Sequence, residues 1–309
     1  MLLLSEGLHS SLDNSILKLL SNKNISTVLD FLHSDSKVIE KATPLIFREI
    51  LNIKKELLKI YSIKPENAYH YYQFILLNCA IIQTGIESLD NLLEGGLFTG
   101  NIYEICGLPA TGKTLFCLTL LKNVATSLES VYYLDTKYDF QALKLKQMYS
   151  HLSKVKLVES MNHIMVKRTN TKQDLLNSLL EIKKIISSGR NIKLLIIDSL
   201  PALCFQSNDH NEQNSFLNEM VNNLHYLAVK CNIVIIVTNL ITLWNEGDFT
   251  NKDVMKERVA CGSYWYNIPN SRLKFHKEGN KSTITLMKSI KIMPKVPHCE
   301  AKITDEGFI

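Results

Sequence analysis

The residues Gly107-Leu108-Pro109-Ala110-Thr111-Gly112-Lys113-Thr114 fit the pattern G-x-x-x-x-G-K-[ST], and the chemistry that pattern performs is phosphate binding. The two glycines allow backbone N–H groups to turn inward around phosphate oxygens. Lys113 supplies a point charge, and the Thr114 hydroxyl can ligate Mg²⁺ while opening a helix. A second group belongs with these. Asp198 closes the apolar run Leu194-Leu195-Ile196-Ile197, where a carboxylate can lie across from the phosphate loop and hold Mg²⁺ through water. An Asp at the end of an apolar strand says little alone. Together with Lys113 and Thr114 it completes both halves of a magnesium–nucleotide site.

Such a site needs a strand before the loop and a helix after it, and both are legible. Ile102-Tyr103-Glu104-Ile105-Cys106 alternates apolar and polar like a strand, and Leu115, Leu118, Thr119 and Asn123 follow at helical spacing. From residue 84 onward, strand-like runs at 102–106, 131–135, 164–168, 194–198, 233–238, 272–275 and 283–287 alternate with helical ones, which predicts an α/β fold. The runs at 194–197 and 233–237 are continuously apolar, as parallel strands covered on both faces should be. The last two runs, joined by Gly279, predict an antiparallel hairpin at the sheet edge.

Residues 1–60 read as a small all-helical N-terminal domain. Its last helix is expected to be capped by Thr43 with Pro44 in the first turn, and to carry the stripe Ile46, Ile50, Ile53, Leu57 and Ile60. Arg48, Lys54, Lys55 and Lys59 then lie elsewhere on its surface, as a solvated basic face or a DNA-facing one. Residues 61–83 read as a less regular interdomain linker containing Pro65 and the aromatics Tyr69, Tyr71, Tyr72 and Phe74. Those aromatics can pack on their own domain or add a strand to a neighbouring subunit. Residues 84–309 form the core domain.

Hydrophobic residues at 46% and charged residues at 21% exclude a chain dominated by disorder. The net charge of +5 favours an anionic partner without naming it. Cys79, Cys106, Cys117, Cys204, Cys231, Cys261 and Cys299 are scattered, with no C-x-x-C pair, and read as reduced thiols. Leu2, Leu3 and Leu4 are followed at once by Ser5 and Glu6, too short for a secretory h-region. No apolar run approaches a membrane span, so no membrane partner is expected.

Several segments go beyond a generic phosphate loop. Thr84-Gly85-Ile86-Glu87-Ser88-Leu89-Asp90, Gly95-Gly96-Leu97-Phe98-Thr99-Gly100 and Glu104-Ile105-Cys106-Gly107 lead into Gly112-Lys113-Thr114. With Asp135-Thr136, Ile197-Asp198-Ser199 and Val237-Thr238-Asn239, they resemble the RecA/RadA-type recombinase family. Ile25-Ser26-Thr27-Val28-Leu29-Asp30-Phe31, Gly262-Ser263-Tyr264-Trp265, Pro269 and Ser271-Arg272-Leu273 are similar to the D-type eukaryotic recombinase paralogue. The resemblance implies a RecA-like P-loop ATPase core with a central, mostly parallel sheet, using ATP and Mg²⁺. It also implies a linker that contacts a neighbouring paralogue, and assistance to homologous recombination in the nucleus.

Departures from the active enzyme of that family are informative. Where it has a Glu after Asp-Thr to position the attacking water, this chain has Lys137. A cation cannot take the water's proton, and losing such a base costs roughly 10²–10⁴ in rate. Asp139 is near enough in sequence to be a substitute base, though pointing to the other side of a turn. Leu240 replaces a Gln that senses the γ-phosphate, and an apolar group makes no such hydrogen bond. Lys144 stands where the family stacks an Arg on adenine, keeping charge without the planar surface. The segment expected to be a first DNA loop, 205–215, has Asp209 and Glu212 but no Lys or Arg. The second, 241–261, offers Trp244 for base stacking and Lys252, Lys256 and Arg258 for phosphates, balanced by Glu246, Asp248, Asp253 and Glu257. Tyr264, Trp265 and Tyr266 read as core or interface aromatics.

Three functions fit these residues. One is an ATP-binding paralogue that joins other paralogues in a hetero-oligomer on single-stranded or branched DNA and assists the recombinase. Another is a structural adaptor whose degenerate nucleotide site does not hydrolyse. The third is an active DNA-dependent ATPase motor, which would need another base.

Overall fold

The computed structural model describes residues 3–62, 65–150, 152–206, 209–245, 255–291 and 294–309. Contacts divide the chain into two compact units, 1–74 and 75–309.

The first unit holds helices α1 (Asn14–Ser21), α2 (Val28–His33), α3 (Ser36–Ala42) and α4 (Phe47–Tyr61). Their local sequence explains their ends. Asp13 accepts the Ile16 N–H, Thr27 and Asp30 bond reciprocally in a capping box, and Asp35 accepts the Lys37 N–H, each satisfying donors that a helix start leaves open. Leu12, Leu20, Phe31, Ile39, Ile50, Ile53 and Leu57 interlock in one apolar cluster.

The long helix starts later than its sequence suggests. Thr43 turns its hydroxyl back to the Ile39 carbonyl at 2.8 Å, closing α3 instead of capping α4. The first N–H groups of α4 go to carboxylates, Ile46 N to Glu49 at 3.1 Å and Phe47 N to Glu40 at 3.1 Å. Of the predicted stripe, Ile50, Ile53 and Leu57 are buried while Ile46 and Ile60 are exposed. Arg48, Lys55 and Lys59 are exposed. Lys54 instead donates to the carbonyls of Leu32, at 3.2 Å, and Ser34.

The stretch read as irregular contains a helix, α5 (Ala68–Asn78), and the boundary between the units falls inside it. Its sequence Ala-Tyr-His-Tyr-Tyr-Gln-Phe-Ile-Leu-Leu-Asn is apolar on most sides, so it has no 3.6-residue stripe to announce a helix. None of its residues is buried.

The second unit runs β1 (Ile81–Ile82), α6 (Glu87–Leu92), β2 (Leu97–Phe98), β3 (Ile102–Gly107), α7 (Lys113–Thr126), β4 (Ser130–Asp135), α8 (Ala142–Met148), α9 (Lys154–Asn162), β5 (Ile164–Arg168), α10 (Lys172–Ser187) and β6 (Ile192–Asp198). It continues with α11 (Pro201–Cys204), α12 (His210–His225), β7 (Val234–Asn245), β8 (Met255–Val259), α13 (Gly262–Tyr266), β9 (Ser271–Glu278), β10 (Lys281–Lys288), β11 (His298–Thr304) and β12 (Gly307–Phe308).

The large sheet is ordered β12-β11-β10-β9-β3-β7-β6-β4-β5, with β8 paired to β7. Strands β9, β3, β7, β6, β4 and β5 are mutually parallel. The remainder pair antiparallel. Two apolar clusters cover its two faces, one built on α10 and α12 and the other on α7. This is the α/β sheet that the alternating runs predict.

Two expectations change. The hairpin around Gly279 is not at the edge, because β11 and β12 continue the sheet beyond β10. Their residues are mixed in polarity, so no apolar run betrays them. The two stretches expected to be loops are also largely regular. Residues 210–215 belong to α12, and most described residues of 241–261 form the β7–β8 hairpin.

Candidate nucleotide site

Strand β3 delivers the phosphate loop at its C-terminal end, where parallel sheets place ligands. Its last residue, Gly107, stands in register with Leu240 of β7 and Phe275 of β9. A Cβ at 107 would come within 2.6 Å of the Phe275 carbonyl oxygen and 2.7 Å of Thr111 Oγ1, so a side chain has no room. Gly112 takes φ 92°, a region open to glycine, and turns the chain into α7. The helix N-terminus, with its unpaired N–H groups, thus follows directly on the loop.

Lys113 is buried and folds under the loop. Its Nζ donates to the carbonyls of Gly107 at 3.0 Å and Leu108 at 2.7 Å, and to Thr111 Oγ1 at 3.4 Å. Burial brings its pKa down to about 8, with the Lys137 charge adding to the depression and Asp198 opposing it.

Asp198, at the end of β6 and 1% exposed, collects hydroxyls from two neighbouring strands and the helix start. Thr114 Oγ1 donates to Oδ2 at 2.7 Å, Tyr133 OH to Oδ2 at 2.8 Å and Thr238 Oγ1 to Oδ1 at 2.6 Å. Burial first, and then the adjacent Asp198 carboxylate, push the Tyr133 phenol well above its ordinary pKa, so it stays a donor. The Asp198–Ser199 peptide is cis, and Thr136 Oγ1 both donates to the Ser199 carbonyl and accepts its N–H, each at 2.7 Å.

The turn after β4 brings the third component. Asp135, fully buried, accepts the N–H groups of Lys137, Asp139 and Phe140, each at 3.2 Å. The Lys137 ammonium then lies 3.2 Å from Asp139 and 3.7 Å from Asp198. Asp139 is therefore salt-bridged to the lysine.

Glycine cradle, buried ammonium and helix start suit a polyphosphate. Thr114 Oγ1 and Asp198 Oδ2 meet at 2.7 Å and are the hard oxygen donors that Mg²⁺ prefers, so the donor set fits that metal. The structure thus brings together Gly107, Leu108, Pro109, Ala110, Thr111, Gly112, Lys113, Thr114, Asp198 and Lys137. Lys144 is held by a hydrogen bond from Nζ to the Asp305 carbonyl at 3.2 Å, in the turn between β11 and β12.

Of the DNA candidates, Arg258 is exposed on β8, opposite Thr242 of β7. The backbones of Trp244 and Lys256 are paired in the same ladder. Lys252 lies outside the described residues, as do Glu246, Asp248 and Asp253, while Glu257 pairs with Lys274. In the first segment Asp209 caps α12, accepting the Asn211 N–H at 2.8 Å, and Glu212 pairs with Lys172 at 2.7 Å.

A buried polar cluster next to the loop was not anticipated. Glu104, three residues before Gly107 and fully buried, accepts from Asn239 Nδ2 at 2.6 Å, from Trp265 Nε1 at 2.7 Å and from Arg272 Nε. Arg272, also buried, donates to the Tyr266 carbonyl at 2.7 Å and lies over the Tyr266 ring. Asn239 donates again, to the Ala260 carbonyl at 3.1 Å. The three aromatics thus differ: Trp265 is core, whereas Tyr264 and Tyr266 are partly exposed.

Comparison with known proteins agrees with this geometry. The Rad51 family model matches residues 77–309, and the RAD51D, N-terminal domain, model matches residues 1–59. The chain belongs to the Rad51 family. It is 29% identical over 285 residues to the DNA repair protein RAD51 homolog 4 of Mus musculus, covering 88% of this chain and 83% of that protein. The Bos taurus counterpart is 27% identical, with 87% and 84% covered. The DNA repair protein RAD51 homolog 2 of Homo sapiens is 29% identical, with 82% and 76% covered. These likenesses make it a recombination-repair paralogue, most like the D type. Members of its family generally bind ATP with Mg²⁺.

Proposed function

We propose that the chain is an ATP-holding subunit, built to retain Mg-ATP more than to turn it over, which joins other recombinase paralogues in the nucleus on single-stranded or branched DNA. The observation that carries this is Lys137. Beside a complete phosphate loop and the Thr114–Asp198 pair, the position facing the reacting end of the nucleotide holds an ammonium directed at two carboxylates.

In this reading the loop N–H groups and Lys113 grip the phosphates, and Thr114 and Asp198 hold the metal, which screens phosphate charge when bound. Tyr133 and Thr238 fix the Asp198 carboxylate through their hydroxyls. Among the described residues, neither side chain at the turn after β4 is a free base for a water at the terminal phosphate. Lys137 is cationic and Asp139 is engaged with it, so hydrolysis runs without the roughly 10²–10⁴ of general-base assistance. Leu240 packs on the core beside Gly107 and offers no side-chain hydrogen bond to a phosphate. Lys144 is a candidate for the base end of the nucleotide.

Exposed aromatic and aliphatic residues on α5, among them Tyr69, Tyr72 and Leu77, are the surface proposed to meet a neighbouring paralogue. The β7–β8 hairpin with Arg258 is the proposed DNA contact.

Leu240 and Lys137 also suit a second reading, a pure adaptor in which nucleotide is static filler. Capture of candidate paralogues with and without Mg-ATP, by the parent chain and by Lys113→Ala, separates the two. Nucleotide-dependent capture lost in the variant supports ATP-gated assembly. Equal capture in every condition supports the adaptor, and strong DNA-stimulated turnover would revive a motor.

A further inference from the structure

Lys137 does more in this geometry than remove a base. Its backbone N–H and those of Asp139 and Phe140 are bound to the buried Asp135 carboxylate, so the turn that presents it is clamped. Its side chain is 34% exposed, and its ammonium sits 3.7 Å from Asp198 Oδ1. Asp198 cannot swing away, because hydroxyls of Thr114, Tyr133 and Thr238 hold both of its oxygens. The ammonium therefore occupies a fixed neighbourhood at the mouth of the phosphate loop.

A cation beside the metal-side carboxylate and facing the phosphates does part of what a divalent ion does there. It neutralises Asp198 and attracts phosphate oxygens without needing to be captured from solution. We propose that Lys137 is a built-in counter-cation of the nucleotide site, allowing this chain to bind a nucleoside triphosphate with little dependence on divalent metal. Asp139, 3.2 Å from the same ammonium, is already its nearer partner and retains Lys137 when Mg²⁺ occupies the Thr114–Asp198 pair and repels it. Metal and lysine thus partly substitute for one another. The proposal rests on the nucleotide-site reading above.

The test uses the full-length chain and a fluorescent, non-hydrolysable ATP analogue, titrated once in excess Mg²⁺ and once in EDTA. Lys137→Met keeps the apolar stem and removes the charge, Lys137→Arg restores charge, and Lys113→Ala serves as the phosphate-loop control. The parent is expected to lose less than about tenfold in affinity on chelation. Lys137→Met should lose about tenfold more than the parent, a size set by one charge interaction discounted for partial exposure. Lys137→Arg should behave as the parent. An EDTA penalty in Lys137→Met equal to that of the parent, or a parent that binds only with metal, would overturn the proposal. Unaltered binding by Lys113→Ala would instead overturn the phosphate-loop reading itself, a failure visible independently of the Lys137 variants.

Discussion

Glu104→Gln is the substitution whose cost the structure defines best. It keeps the shape of the side chain and deletes its charge, leaving Arg272 with no carboxylate at a site where both residues are at most 1% exposed. Removing one member of a buried ion pair costs about 3–5 kcal/mol, because the remaining charge is desolvated without compensation. The Trp265 and Asn239 donors retain the amide oxygen as an acceptor, so they add little to that figure. For a unit of residues 75–309, about 2–4 °C per kcal/mol translates this into a melting-temperature loss of about 6–20 °C. Thermal and urea unfolding of the full chain measure it, with the double variant Glu104→Gln/Arg272→Met as the decisive companion. Removing both charges should recover most of the loss, since apolar replacement of a buried pair is close to neutral. A single variant that unfolds within about 1 kcal/mol of the parent, the scale of an exposed pair, would refute the reasoning. So would a double variant no better than the single.

Three further outcomes are expected. Lys113 must be protonated to bind phosphate, and a triphosphate raises its pKa above the free-protein value of about 8. Affinity is therefore full below pH 8 and falls as pH rises through it, by about tenfold between pH 7 and 9 in analogue titrations. Lys113→Arg should flatten that profile. Tyr69→Ser with Tyr72→Ser on α5 should reduce paralogue capture at least about tenfold, as loss of interface aromatics does. Because both side chains are exposed, the melting temperature should hold. Arg258→Ala should weaken single-stranded DNA binding at all sequences and lower the slope of log affinity against log salt by about 0.7, the share of one phosphate contact.

How much of this was legible depended on whether the chemistry was local. The phosphate loop is eight consecutive residues between a strand and a helix, and Asp198 ends an apolar strand, so spacing locates them; Lys137 stands out only against the Glu that the recombinase resemblance implies after Asp135-Thr136. Tyr133 reads as an ordinary strand residue, and Thr238 enters only as part of the Val237-Thr238-Asn239 resemblance. They meet at Asp198 only because β4 and β7 flank β6 in the sheet, a neighbourhood that chain order does not state. The Glu104–Arg272 pair is 168 residues apart in sequence, and each residue alone resembles a surface charge. Helix α5 was hidden for the opposite reason: its apolar residues surround it, leaving no period to detect. Strands β11 and β12 were hidden by their mixed polarity. Pairing to β10, not side-chain pattern, makes them strands.

A site that holds ATP without spending it, and whose occupancy gates assembly, leaves a chemical record in the purified complex. The most direct measurement is the nucleotide content of the chain co-purified with a paralogue partner, followed as triphosphate and diphosphate over hours in Mg²⁺. The expected result is one adenine nucleotide per chain, recovered mainly as triphosphate, with Lys113→Ala losing nucleotide and partner together. A partner-bound chain free of nucleotide, or one whose nucleotide is rapidly converted to diphosphate, would contradict it.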